Sequence, residues 1–209
     1  ASLAPGASAA AAANLRAAPA RAATVEAYSP AASVWYVDRD ATGANNGSSW
    51  GDAFTDLQAA LAVVPSGDEV WVARGVYTPG LTVSSTFSMV SGVALYGGFA
   101  ATETQRIQRN WIANVTVLSG DIDGNDNTDP NGVVTDTNKI HGNNAYHVLD
   151  GSGTNATAIL DGFIATAGKA IGTVGYYDAL GGGMLIAPSG SPTVQNISFI
   201  GNHANGYGG

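Results

Sequence analysis

The chain contains no cysteine, which excludes disulfide staples, thiolate metal sites and a thiol nucleophile. Charge is scarce too: 11% of its 209 residues are charged, against about 25% in an ordinary soluble domain. Cations are the scarcer sign, with 8 Lys and Arg facing 16 Asp and Glu for a net charge of −8. A negative field of that size argues against a nucleic-acid partner, whose affinity comes largely from cationic contacts to phosphate. It also disfavours long-range attraction of an anionic polysaccharide without a bridging cation. No run approaches the roughly 18 consecutive apolar residues of a membrane helix, so no transmembrane helix is expected in this segment. In place of these stand glycine, 28 of 209 residues, and many Ser, Thr and Asn. Small residues turn corners and uncharged polar residues cover faces, which suits stacked β coils.

Residues 1–33 are low-complexity Ala, Pro and Ser with no initiator Met. The small-x-small pattern Ala7-Ser8-Ala9 reads as the remnant of a secretory signal, and the alternative is an Ala/Pro linker. Either way the segment stands outside the core.

Order is expected from Val34-Trp35-Tyr36-Val37 onward. One helix is predicted over 55–64, with a capping box formed by Thr55 and Gln58 and apolar residues Phe54, Leu57, Leu61 and Val64 at helical spacing. A solenoid leaves its first coil open, and this helix is read as the lid over that end. Short strands follow at 69–73, 76–78, 86–90, 93–99, 115–120, 146–151 and 158–163. Leu160-Asp161-Gly162-Phe163-Ile164-Ala165 and Val194-Gln195-Asn196-Ile197-Ser198-Phe199 share one pattern, offset by 34 residues. Its third position holds Gly or Asn, residues that tolerate a left-handed backbone. A bend there turns the first and fourth residues toward one interior, which a coil needs and a flat sheet does not. A helical repeat of similar length is excluded by the Gly, Asn and β-branched density. The predicted fold is all-β: a right-handed parallel β-helix (solenoid) over 34–209, with an N-terminal capping α-helix.

The opening from Val34 to Pro79, then Ala94-Leu95-Tyr96-Gly97-Gly98-Phe99 and Val117-Leu118-Ser119-Gly120-Asp121, resembles bacterial extracellular right-handed parallel β-helix proteins of the pectate-lyase-like fold. Gly181-Gly182-Gly183-Met184-Leu185 followed by Phe199-Ile200-Gly201-Asn202 is similar to the GG and FxxN repeats of chlamydial-type polymorphic outer-membrane proteins. Met184 departs from that pattern, and a single complete repeat is present. The chain stops at Gly208-Gly209, where a further GG element would begin, so a truncated longer protein is expected. The resemblance implies export and a surface-structural or adhesive role without assigned chemistry.

Three sets of residues carry candidate chemistry. Asp121, Asp123, Asn125, Asp126 and Asp129 alternate carboxylates and amides in one loop, the hard oxygen ligands that Ca²⁺ takes. The spacing excludes an EF-hand and leaves two readings, an irregular calcium site or a solvated Asp/Asn turn. Asp150 and Asp161 each precede Gly at a corner; they are either turn residues or the carboxylate pair of a glycoside hydrolase. A lyase site needs cations beside its base, and beyond Arg109 only Lys139 and Lys169 follow. His141, His147 and His203 share no metal-ligand spacing. Asn202 is placed inside a corner, bonding from rung to rung. Trp35, Trp50, Trp71, Tyr77 and Tyr96 are either a sugar-stacking platform or core and cap packing. Asn196-Ile197-Ser198 fits the glycosylation pattern but falls in a predicted strand.

The reading that follows is an exported, bacterial-type, extracellular or cell-surface protein. It is a non-catalytic scaffold presenting loops such as 121–145 and 168–181 to a surface polysaccharide or host-cell partner. The competing reading is a carbohydrate-active enzyme on the same scaffold, a polysaccharide lyase or glycoside hydrolase, since one fold hosts many chemistries.

Overall fold

A computed structural model of the chain describes residues 32–208. The low-complexity opening, with its signal-remnant or linker reading, lies outside the described residues up to position 31.

Strand β1 (Val34–Val37) alternates, with Val37 inward, and pairs in parallel with β2 (Glu69–Ala73). After β2 the chain runs through β3 (Gly75–Tyr77) and β4 (Phe87–Ser88), then β5 (Ala94–Phe99), β6 (Thr116–Ser119) and β7 (Leu149–Asp150). It continues through β8 (Ile159–Asp161), β9 (Ile164–Thr166), β10 (Lys169–Ala170) and β11 (Met184–Leu185). β12 (Thr193–Gln195), β13 (Ser198–Ile200) and β14 (His203–Ala204) end the described strands. Every pairing between these strands is parallel. One sheet has the order β1-β2-β5-β8-β12, a second β13-β9-β6-β3, a third β11-β7-β4, and β10 pairs with β14. The chain therefore visits the first, second and third sheets in turn, three times over, and begins a fourth circuit with β12 and β13. The protein is predominantly β, with one five-residue α-helix among the described residues.

Period-two alternation decides which side chains fill the interior. Along β2, Val70 and Val72 join the main core while Trp71 faces outward. Leu95, Leu160 and Val194 stand in register with Val70, so the same inward position recurs on each circuit. Phe87, Leu118, Leu149 and Phe163 complete that core. Burying a side chain of this size contributes about 1.5–3 kcal/mol. The bend predicted at Gly162 and Asn196 is present: their φ values are 89° and 47°, and Gly98 on the preceding circuit has φ 95°. Leu160 and Phe163 on either side of Gly162 are both buried in one core, as the bend requires.

The helix differs from the expectation. It spans α1 (Leu57–Leu61), not 55–64, and its N-cap is Asp56, whose carboxylate accepts from the Gln58 N–H at 2.8 Å. Thr55 is already committed, since its N–H and hydroxyl both donate to the Asn45 side-chain oxygen. The cap consequently slides one residue on. Beyond Leu61 the chain tightens into a turn, with the Val63 N–H on the Ala60 carbonyl, so the apolar residue Val64 reaches the core from outside the helix. Leu57 and Ala60 are buried beside Val37 in the main core, at the β1 edge. Among the described residues no helix is long and apolar enough to cross a membrane.

Candidate functional site

The outer face of the first sheet carries one continuous row. Tyr36, Trp71, Tyr96, Asp161 and Gln195 occupy the same register position on β1, β2, β5, β8 and β12. The first three rungs are aromatic and the fourth is acidic. Trp71 stacks on Phe99 with ring centroids 4.8 Å apart, and Trp50 packs edgewise on Tyr36 at 4.7 Å. These rings, with Ala94, form a second apolar cluster on the outside of the sheet.

Residues 100–115, between β5 and β6, fold back across this row as a strap. Its start is fixed by Glu103, whose carboxylate accepts from the Ala100 and Thr102 N–H groups and whose carbonyl accepts from the Trp50 indole. A short 3₁₀ turn, Arg106–Gln108, is closed by a capping box between Gln105 and Gln108. That turn aims two guanidinium groups at the row. Arg106 lies over the Tyr96 ring, 4.5 Å from its centroid, and bonds Glu69 at 2.6 Å. The other oxygen of Glu69 accepts from the Trp71 indole at 2.8 Å. Arg109 reaches Asp161 at 2.6 Å, and both side chains are only 9% exposed. It also donates to the Gly97 and Asp161 carbonyls at 3.2 and 3.0 Å, and sits between the rings of Tyr96 and Trp111, 5.1 and 4.8 Å from their centroids. The second oxygen of Asp161 accepts from Asn196 Nδ2 at 2.7 Å. Burial raises the pKa of the Tyr96 hydroxyl, with the Arg106 charge opposing.

Trp111 stands between two surface cavities. One, of about 490 Å³, is lined by Glu69, Gln105, Arg106, Ile107 and Arg109 besides Trp111. The other, of about 400 Å³, runs along the corner between the first and second sheets, past Thr116, Gly162, Ile164, Asn196 and Ser198. This corner has no room to spare: a Cβ on Gly98 would meet the Trp111 backbone at 2.6 Å, and one on Gly162 would meet Arg109 at 2.7 Å.

Asp150 and Asp161 are not brought into one cluster. Asp150 is on β7 in the third sheet, where its side chain accepts from the Ser152 N–H at 2.8 Å as a turn residue does. Asp161 is on the first sheet, with both oxygens engaged by Arg109 and Asn196. A retaining or inverting glycosidase needs its two carboxyl groups about 5–10 Å apart across the bond to be cut, one as acid and one as base or nucleophile. These two lie on different sheets with different partners.

The acidic loop turns its oxygens onto its own backbone. Asp121 accepts from the Gly124, Asn125 and Asp126 N–H groups, and Asp129 from those of Asn131 and Val133. Asp123 receives the Asn143 N–H, and Asp126 receives the His141 N–H and the Asn144 amide. Burial raises the Asp126 carboxyl above its ordinary value, against the pull of those two donors. Asn125 contacts the cluster by its backbone N–H. Among the described residues no three His, Cys, Asp or Glu side chains are grouped to hold a metal ion.

The histidines are separate, on Asn127 for His141, the Gly181 carbonyl for His147 and Asn205 for His203. Asn202 takes the predicted corner position, accepting from the Gly168 N–H and donating to the Ala165 carbonyl, both at 2.9 Å. Asn196 spends its amide on Asp161 rather than offering it to a glycan. Trp35 stacks on Phe54, Tyr77 lies in the main core, and Trp50, Trp71 and Tyr96 in the outer cluster, so these rings pack. Sequence reasoning missed Trp111. Its signal was an aromatic flanked by Ile107 and Ile112 within an otherwise polar excursion. Compared with protein-family models, with curated proteins and with solved structures, the chain has no match in any of the three.

Proposed function

We propose that the successive circuits form a right-handed parallel β-helix, capped at the β1 edge by α1, serving outside the cell as a non-catalytic structural or adhesive rod. Parallel strands joined by crossovers are right-handed in about 98% of cases, and the in-register inward positions Val70, Leu95, Leu160 and Val194 support a coil around one core. The rod presents its excursions, 100–115, 121–145 and 168–181, to a surface polysaccharide or cell-surface partner.

One observation carries the non-catalytic reading. The 121–145 excursion holds its shape with its own carboxylates, and the 100–115 strap is tied to carboxylates of the first sheet. Asp121, Asp123, Asp126, Asp129 and Asp136 each accept a backbone N–H within or beside the 121–145 loop. The strap's arginines are each paired with a carboxylate. Groups so engaged shape a surface, while acid–base chemistry needs a group poised to exchange a proton with a substrate.

The test uses the full chain with neutral and uronate-containing polysaccharides and with intact bacterial and animal cells. Retention on a cell or glycan surface is expected, with no new reducing ends and no unsaturated uronate products. Turnover would favour the carbohydrate-active enzyme. Retention on no surface would remove the adhesive reading.

A further inference from the structure

We infer that the cleft around Trp111 is a binding site for an uncharged glycan chain, lying along the corner between the first and second sheets. This inference rests on the adhesive reading above and names the partner's chemistry.

Most aromatic rings of the outer row are packed under the strap, but Trp111 remains 38% exposed, with Ile107 and Ile112 on the same strap 87% and 81% exposed. An indole that is half seated and half open offers a flat apolar face, which suits the C–H face of a pyranose ring. Its orientation is fixed from beneath by the Arg109 guanidinium, 4.8 Å from its centroid, and by the close approach of its backbone to Gly98. The binding face is thus formed before any ligand arrives, which lowers the ordering cost of association.

The ionised groups at this site are Glu69, Arg106, Arg109 and Asp161, and they cancel as two pairs at 2.6 Å each. An anionic sugar would find no unpaired guanidinium among the residues lining these two cavities, and would approach a chain of net charge −8. A neutral chain meets neither obstacle.

The roughly 400 Å³ cavity crosses the starts of β6, β9 and β13, passing Val115, Ile164 and Ser198 from successive rungs, while Thr116 beside them is buried. Neighbouring strands are about 4.8 Å apart, close to the length of one sugar ring in an extended chain. A polymer lying along the stack would place successive rings over successive rungs, one of them on Trp111. A protein partner fits less well. A stable protein contact buries about 800 Å² on each side, and three apolar side chains on one strap fall short of that.

The experiment is affinity electrophoresis of the full chain through gels holding a soluble β-glucan, a mannan or polygalacturonate, with a protein-loaded gel as control. Retardation by at least one neutral polymer is expected, little changed by salt and at least about tenfold weaker for Trp111→Ala. Trp111→Tyr, which restores a flat ring, should recover most of it. Ile107→Ser and Ile112→Ser alter exposed side chains, so they test the cleft without threatening the fold, and each should weaken retardation. Circular dichroism identifies any variant that fails to fold.

Salt-sensitive retardation by polygalacturonate alone, or retention only on protein, would overturn the inference. So would retardation unchanged by all three Trp111 and Ile variants that remove the apolar surface. In those cases cell-surface retention by the native chain would leave the adhesive reading standing, whereas turnover of a polymer or loss of all retention would fell that reading first.

Discussion

Arg109→Met is the most informative single change, because its consequence depends on burial rather than on the count of contacts. The substitution keeps an unbranched stem against Tyr96 and Trp111 but removes the charge. Asp161 would then stay almost fully buried with only the Asn196 amide as donor, and the Gly97 and Asp161 carbonyls would lose theirs. Breaking a buried pair from one side costs about 3–5 kcal/mol, since the remaining charge is neither solvated nor compensated. For a chain of this size that is about 6–20 °C in melting temperature. Asp161→Asn should be destabilising as well, but the double variant should cost less than the sum by about 1–3 kcal/mol, because neither charge is then stranded. Arg106→Met is the built-in comparison. Its pair with Glu69 is open to solvent, the side chains being 47% and 21% exposed. Its loss should cost about 0.2–1 kcal/mol and shrink with added salt, while the Arg109 effect should persist in salt. The assay is urea unfolding of all four variants, comparing midpoints at constant slope. An Arg109→Met protein as stable as the parent, or strict additivity with Asp161→Asn, would refute the reasoning.

Gly162→Ala should lower stability by about 2 kcal/mol or more in the same assay: φ is 89°, where a side chain costs about 1–2 kcal/mol, and the new Cβ would meet Arg109 at 2.7 Å. Asp56→Ala should cost about 1 kcal/mol by removing the α1 N-cap, and Thr55→Ala distinctly less; the reverse order would restore Thr55 as the cap. For Asp126 the sign follows from its raised pKa. The folded state keeps its proton to higher pH than the unfolded chain, so its stability falls as pH rises through the window between 3.8 and the raised value. Melting of the parent and of Asp126→Asn should therefore diverge in the parent's favour as pH drops toward 3.8, and a flat difference would count against the burial of that carboxyl.

The circuits were legible where nothing interrupts them. Ile159 pairs with Thr193, Ile164 with Ser198 and Lys169 with His203, each 34 positions on. That constant offset made the final pair of circuits visible as self-similarity. Asn196 and Gly162 could be placed at the bend because few residues tolerate a positive φ. Earlier circuits obey the same register but hide it. Val70 meets Leu95 after 25 residues, and Leu95 meets Leu160 after 65, because excursions of unequal length leave the corners. Each doubling of such a loop costs only about 0.6 kcal/mol in closure entropy, so the fold tolerates them while the period disappears from the sequence. The helix boundary failed for a local reason, since Thr55 was bound by Asn45, ten positions upstream, which no capping pattern records.

The candidate site was illegible for the opposite reason. Its contacts are set by what the strap crosses, not by what lies beside it in sequence. Arg109 finds Asp161 52 positions on, and Arg106 finds Glu69 37 positions back. Sequence reading therefore saw Arg109 as one of few cations and Asp161 as a carboxylate at an Asp-Gly corner, with nothing to join the two. The register supplies the missing link: placing Tyr96 beside Asp161 on adjacent rungs puts an aromatic and an acid where a returning strap can meet both. Once the arginines are committed to that row, the next ring in the strap, Trp111, is left at the rim with one face held and the other toward the cavity. The exposed indole is thus a consequence of the buried pair beneath it. Variants that loosen Arg109 should accordingly weaken glycan retardation by releasing the Trp111 ring it holds.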